Sequence, residues 1–326
     1  MKKSIVRIIL VALVLASVSM PLSARSNKWT VSGVELASPA ATYKFAGRDT
    51  CDLFLDFYPA SKGSYTEIDG KQKPAIIFAF GGGFIGGHRD KPHYQQWIKL
   101  LNDNGYPVFS IDYRLGLKGV NAKGVKMIGA VRRAVEIGVE DMFSATSFIV
   151  KNADKFGVSP DNLVLSGSSA GAIIALQTEY ELCNHSSLAS EMPEGFKYAG
   201  VISFSGAIYS THGKVKYADA PAPQLLLHGT KDRVVTYKSI QLFNIGLFGS
   251  SKIAKRLDVK GYPYTIVRYK DHTHDIADLM YHTFPEQLIF LEQSVIKKTG
   301  RSADIRMDDP SVPVDNTLRT LGDLYK

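Results

Sequence analysis

The sequence predicts an α/β fold: a mostly parallel, eight-stranded, doubly wound sheet that opens with an antiparallel pair of strands. Three observations predict it. Short apolar runs bounded by turn residues alternate with helical or loop segments, the order strand, helix, strand of a parallel sheet. From about Ala130 to Phe156 the apolar positions Val131, Ala134, Val135, Val139, Met142, Phe143, Phe148 and Ile149 recur at three- and four-residue spacing, which describes a long amphipathic helix. Finally, the apolar run Leu163, Val164, Leu165 passes through the small residues Ser166 to Ser169 into the helix-compatible run Ala170 to Gln177.

The chain begins with Lys2, Lys3 and Arg7, then an uncharged run from Ile8 to Met20, then Pro21, Leu22, Ser23 and Ala24. A basic start, a short apolar stretch and a small-residue cleavage site describe a secretory signal peptide over residues 1–24, cut after Ala24. The apolar stretch falls short of the roughly 18 to 20 residues that would span a bilayer, and no later segment reaches that length. A secreted or periplasmic protein without stable membrane insertion is therefore expected. Cleavage takes three basic residues from a formal net charge of +8, leaving +5. The cluster Lys252, Lys255, Arg256 and Lys260 lacks interleaved aromatics and reads as a solvated face, so nucleic acid is not expected as a partner. Roughly 300 remaining residues can bury about three-quarters of their unfolded surface, enough for one large domain over residues 25–299. Cys51 and Cys183 are far apart in sequence, and both pairing and separate thiols stay open.

Residues 25–37 read as an arm. Tyr43 and Phe45, a turn at Arg48 and Asp49, and the run Leu53 to Tyr58 predict the antiparallel pair. Pro74 to Phe80 is an unbroken apolar run, as in strands buried on both faces, and leads into Gly81, Gly82, Gly83 and Phe84. Trp97 to Leu101 predict a helix stopped by Gly105, and Val108 to Ile111 the next strand. Three further strands follow the Ser169 region: Gly200 to Phe204, Pro223 to His228 and Tyr264 to Tyr269. Residues 236–260, with Ile240, Leu242, Phe243, Ile245, Leu247 and Phe248, form an insertion that is either a packing helix or a wall or lid over a site. A helix is expected near Glu286 to Lys297, and residues 300–326 read as a polar tail.

The chemistry centres on Gly167, Ser168, Ser169, Ala170 and Gly171, a G-x-S-x-G pattern between a strand and a helix. Five such residues mean little alone, because Gly and Ser are common here. Their context is what the chemistry needs: a sharp strand-to-helix turn exposes a serine and aims the helix's N-terminal N–H groups at developing negative charge. Serine needs a base to take its proton and an acid to orient that base. Asp232 follows the strand ending at His228, and Lys270 to Asp275 follow the strand ending at Tyr269, offering His274 or His272 as the base. His274 is favoured because a helix start follows it, and His272 stays open. The H-x-H pair has no third ligand at zinc-site spacing, so no metal is expected, nor any other cofactor. His228 reads as structural, bonding to the loop that carries Asp232. Asp112, Arg114 and Asp141 read as structural ion pairs.

With F-G-G-G-F-I-G-G at residues 80–87, D-Y-R-L at 112–115, S-P-D-N-L-V-L-S-G-S-S-A-G at 159–171, H-G-T-K-D at 228–232 and D-H-T-H-D at 271–275, the chain resembles α/β-hydrolase-fold carboxylesterases. The resemblance is to the group of acetyl esterases, hormone-sensitive-lipase-like esterases and bifunctional acetyl-xylan and feruloyl esterases. It covers roughly residues 50–295, and the order Ser169, Asp232, His274 is that of the fold. It implies a catalytic Ser169, Asp232 and His274, and an oxyanion hole built from the backbone N–H groups of Gly82, Gly83 and Ala170. The family often has His where this chain has Phe80, which leaves open what braces the glycine loop. The function implied is a serine esterase acting on small-molecule or polysaccharide esters. Two other readings are a prolyl-oligopeptidase-type peptidase, for whose gating domain about 300 residues leave little space, and a non-catalytic binding module of the same fold.

Overall fold

Apolar, often β-branched runs with few charges form the strands, and the described strands of the main sheet follow the predicted order. The structure is a computed structural model that describes residues 29–122, 124–315 and 317. The expected signal peptide lies outside the described residues. β1 (Ala41–Gly47) and β2 (Asp52–Tyr58) are antiparallel, with Ala41 opposite Phe57. Then come β3 (Ala75–Ala79), β4 (Val108–Ile111), β5 (Leu163–Ser168), β6 (Gly200–Phe204), β7 (Gln224–Gly229), β8 (Tyr264–Tyr269) and β9 (Ala303–Met307). They lie side by side in the order β1-β2-β4-β3-β5-β6-β7-β8-β9. From β4 to β9 every neighbouring pair is parallel, while β2 is antiparallel to both its neighbours. β3, β4, β5, β6 and β7 are buried at every position, as strands with helices over both faces must be.

Among the described residues, five α-helices longer than one turn cover the sheet: α1 (Pro92–Asp103), α2 (Val125–Lys151), α3 (Ala170–Cys183), α4 (Ser250–Lys260) and α5 (Phe284–Phe290). Proline opens α1, where its missing N–H would have had no intrahelical partner. The α1 face bearing Tyr94, Trp97, Ile98 and Leu101 is buried, and Phe78 of β3 packs against Tyr94 (4.9 Å between ring centres) and Trp97 (5.0 Å). The Trp97 indole Nε1–H donates to Gln287 Oε1 of α5 (2.7 Å), joining two helices distant in sequence. The long predicted helix ends at Lys151, and a one-turn helix Ala153–Phe156 follows it. Among the described residues no helix is long and apolar enough to cross a membrane.

Two expectations differ from what is observed, and the open question of the cysteines is settled. Among the described residues the main sheet has nine strands, not eight, because part of the predicted polar tail, Ala303–Met307, adds in parallel to β8. Its residues are mostly exposed and two are charged, which suits an edge strand and hides it from any search for apolar runs. Arg268 of β8 clamps it through Asp304 (2.8 Å from Nη2 to Oδ2). Within residues 236–260, only the second half is helical, as α4. The first half is a hairpin of strands Ser239–Leu242 and Ile245–Gly249, which joins the strand Ala207–Ser210 in a separate antiparallel sheet. The cysteines are separate thiols, Cys51 exposed and Cys183 buried.

The predicted structural ion pairs form. Asp141, inside α2 and without exposure, receives Arg48 Nε (3.1 Å), Arg114 Nε (2.9 Å) and the Arg114 backbone N–H (2.8 Å). Asp112 receives Arg89 (2.8 Å) and the Phe54 N–H (3.1 Å). These contacts pin β1, β2 and the loop after β4 to α2. Asp141→Ala removes the buried acceptor that Arg48 and Arg114 share, while Arg114 keeps Glu140 (2.7 Å) and Arg48 keeps Ser144 (2.8 Å), so the cost should be about 1–3 kcal/mol. Scanning calorimetry should accordingly show a melting temperature lower by about 2–12 °C, and an unchanged melt would refute this role.

Candidate active site

The predicted site residues lie on loops at the carboxyl ends of strands: Gly81 to Gly83 after β3, Ser169 after β5, Asp232 after β7 and His274 after β8. β3 and β5 are neighbours, and the chain winds away from them in opposite directions, the position where open α/β sheets form a crevice.

Ser169 caps α3 with φ 51° and ψ −114°, a conformation that side chains rarely adopt. The flanking glycines make that turn possible by removing bulk. A Cβ on Gly167 would fall 2.2 Å from the Gly171 carbonyl carbon, and one on Gly171 would fall 2.0 Å from the Ala79 carbonyl oxygen. The turn is tied down from both sides, since the Ser169 N–H donates to Phe204 O of β6 (2.9 Å) and Ser169 O accepts from the Ile173 N–H (3.0 Å).

Ser169 Oγ lies 2.8 Å from His274 Nε2, and His274 Nδ1 lies 2.8 Å from Asp232 Oδ2. All three residues are buried. The other carboxylate oxygen, Asp232 Oδ1, accepts the N–H groups of Val234 (2.9 Å) and Val235 (3.1 Å). His272 is engaged elsewhere, its Nδ1 2.8 Å from Asp275 Oδ2. His228 Nε2 lies 3.1 Å from Val235 O and 3.2 Å from Asp232 Oδ2, and its Nδ1 lies 2.7 Å from Ser250 Oγ at the start of α4. It thus bonds to the loop carrying Asp232, in the structural position expected from the sequence.

The charges reinforce this geometry. Burial pushes the Asp232 carboxyl up, but the His274 and His228 rings beside it outweigh burial and hold it well below the usual carboxylate range. Burial likewise disfavours a charged His274, but the Asp232 carboxylate, with Asp278 and Asp275 behind it, raises the imidazole above its ordinary value. A carboxylate that stays ionised beside a ring that readily takes a proton is what proton abstraction from a serine hydroxyl requires.

The glycine loop is a tight turn in which Gly82 O accepts the N–H groups of Ile85 and Gly86 (both 3.1 Å). The Gly81 N–H is already committed, donating to the Tyr94 hydroxyl of α1 (3.0 Å). That leaves Gly82 and Gly83 as the loop's expected donors, and Ala170, the first residue of α3, has no carbonyl one turn earlier to receive its N–H.

Phe80 takes the place where the carboxylesterases that the motifs resemble often have His, and two tyrosines that sequence reasoning missed do the bracing. Tyr113 Oη donates to Phe80 O (2.9 Å) and its ring stacks on Phe80 (4.4 Å, 26°). Tyr94, fully buried, holds Gly81. Against Tyr94 lies His93 (ring centres 4.0 Å apart), whose Nε2 is 3.3 Å from Asp278 Oδ1, four residues after His274. The glycine loop and the histidine loop are therefore joined through α1. The only sequence signal was the D-Y-R-L motif for Tyr113; for Tyr94, nothing within α1 sets it apart from a core aromatic.

Comparison with known proteins follows the same lines. A family model described as BD-FAE matches residues 64–212. The chain is 29% identical to Esterase E4 of Myzus persicae over 177 residues, 54% of this chain and 28% of that protein. It is 23% identical to Lipase 2 of Moraxella sp. (strain TA144) over 265 residues, 78% of this chain and 54% of that one. The chain thus spans about a quarter to about half of the length of these two relatives. Among solved structures it is similar to a propionate-bound esterase, Est2, of Thermogutta terrifontis, with a TM-score of 0.57 and 19% identity over 79% of this chain and 96% of the other. That likeness, together with the sheet order, makes this an α/β-hydrolase fold.

Two outcomes test the geometry. His274 must be neutral to accept a proton, so any reaction in which Ser169 attacks should slow as pH drops through a value above 6.5, the imidazole's ordinary pKa. Asp232→Asn removes the largest raising influence, so it should move that acid limb to lower pH while reducing kcat by about 10⁴-fold; a limb that stays in place would refute the pairing. Tyr94→Phe leaves the Gly81 N–H without its acceptor and should lower kcat roughly tenfold with KM nearly unchanged, as steady-state kinetics would read.

Proposed function

We propose that this chain, an α/β hydrolase by fold and similar in sequence to esterases, hydrolyses carboxylic esters through a covalent acyl-enzyme. The observation that carries the reading is the unbroken chain of contacts from Ser169 Oγ to His274 to Asp232, at 2.8 Å each, beside a glycine loop. As His274 Nε2 takes the Ser169 proton, Oγ attacks the ester carbonyl. The carbonyl oxygen becomes an alkoxide facing the N–H groups of Gly82, Gly83 and Ala170. Asp232 keeps the imidazole oriented and stabilises its charged form. His274 then returns the proton to the leaving alcohol, and a water activated by the same ring releases the acid. Each backbone donor to such an alkoxide typically contributes about 10²- to 10³-fold in rate.

Ester rather than amide substrates are supported by the relatives named above, which are esterases and a lipase. The narrower reading is an enzyme working outside the cytoplasm on acetyl or feruloyl groups of polysaccharides. It is supported by the leader-like residues 1–24 and by the motif resemblance.

Ser169→Ala should lower turnover of a small aryl acetate by about 10⁴- to 10⁶-fold and abolish labelling by a fluorophosphonate probe. Undiminished activity in that variant would overturn the assignment, and cleavage of proline amides in preference to acyl esters would move it to a peptidase.

A further inference from the structure

Outside the main sheet, the strand Ala207–Ser210 pairs with Ile245–Gly249, which pairs with Ser239–Leu242 at the edge. Side chains alternate between the two faces of such a sheet. Phe248 lies opposite Ile208 and both are buried, so theirs is the inner face. The outer face then carries Ile240 opposite Leu247, Leu242 opposite Ile245, and Leu247 opposite Tyr209. Antiparallel surface hairpins ordinarily turn polar residues outward. Here Ile240, Leu242 and Ile245 are 49%, 50% and 40% exposed, and Phe243 at the turn is 88% exposed. Phe243 holds φ 52°, a conformation usually left to Asn or Gly in a two-residue turn, so a phenyl ring is kept at the tip despite its backbone cost.

The charge around this face is mostly positive. The segments that build it, residues 206–219 and 234–260, contain Lys214, Lys216, Lys238, Lys252, Lys255, Arg256 and Lys260 against Asp219 and Asp258. All six lysines are exposed. The loop bearing Lys214 is fastened to the tip, since the Gly213 N–H donates to Asn244 O (2.7 Å). Glu136 of α2 and Glu181 of α3 share a groove with Tyr209; Glu136 is paired with Arg132 (2.7 Å), whereas Glu181 accepts from the neutral Gln177 amide (2.8 Å) and keeps its negative charge, leaving the basic residues in the majority around the face.

We infer that this hairpin docks the protein onto an anionic lipid surface. The outer-face residues and Phe243 enter the boundary between headgroups and acyl chains while the lysines meet headgroup phosphates, the combination that holds peripheral proteins to membranes. Docking there also has a bearing on the site. The strand Ala207–Ser210 begins three residues after Phe204, whose carbonyl holds the Ser169 N–H, and the hairpin follows directly on the Asp232 loop. A docked hairpin brings the catalytic edge to the interface where esters of low water solubility collect. The inference goes beyond the esterase reading and does not require it.

The test is co-sedimentation of the chain with vesicles of phosphatidylcholine alone or with a quarter of phosphatidylglycerol, at low and high salt. Binding should be about tenfold stronger to the anionic vesicles and should weaken with salt. Leu242→Ser with Phe243→Ser should lose about tenfold or more, and Lys214→Gln with Lys238→Gln and Lys252→Gln severalfold, both keeping the wild-type melting temperature. Phe243→Ser alone, at a fully exposed turn, serves if the double variant does not fold. Absence of binding, equal binding to both vesicle types, or variants that bind like wild type would overturn the inference, as would light scattering that shows a dimer dispersed by Leu242→Ser and Phe243→Ser without vesicle binding. Because the readout needs no substrate, failure of the esterase reading would leave this result standing.

Discussion

The backbone of Ser169 is the constraint on which the rest depends. A non-glycine residue at φ 51°, ψ −114° costs on the order of 1–3 kcal/mol, and it persists only where its surroundings leave no alternative. Here those surroundings are the end of β6, the first turn of α3, and the approach of Gly171 to the Ala79 carbonyl. Three rigid elements thus converge on one residue and hold its Cβ clear of the helix, with Oγ within hydrogen-bond distance of His274. The geometry needs no rearrangement before a proton could move.

Asp232 is the second fixed point. A buried carboxylate is costly unless every lone pair is engaged, and Asp232 meets two backbone N–H groups on one oxygen and two imidazoles on the other. His228 does not reach Ser169. It extends the acid loop toward Ser250, and so links the carboxylate to the start of α4. The hairpin that precedes α4 and the loop that carries Asp232 are therefore positioned by the same short stretch of chain. Tyr94 plays a similar part on the other side, where one phenol connects the glycine loop to α1.

The features legible in the sequence were those written in local pattern. Apolar runs such as Ala75 to Ala79 and Leu225 to Leu227 mark strands because both of their faces are buried, and the turn at Arg48 and Asp49 marks the antiparallel pair. The spacing around Ser169 and the positions of Asp232 and His274 just past strand ends were readable for the same reason. What escaped depends on partners far away in the chain. Tyr94 looks like any core aromatic until the fold brings Gly81 to its hydroxyl. The segment 239–249 resembles an apolar helix as readily as a hairpin, because its pairing partner Ala207–Ser210 lies some 30 residues earlier. Ala303–Met307 looks like tail because its ladder to β8, not its own hydrophobicity, makes it a strand.

That last strand closes a sheet edge beside the site. β8 already carries Tyr269, whose neighbours lead into His274, and its outer edge is covered only when residues 303–307 arrive. Parallel pairing of this kind closes a loop of some thirty residues and costs more chain entropy than a hairpin does. Were that edge open, a parallel strand beside the site would be left as a template for pairing with other chains. Ala303–Met307 covers it and, being short, charged and mostly exposed, is itself a poor template for further addition.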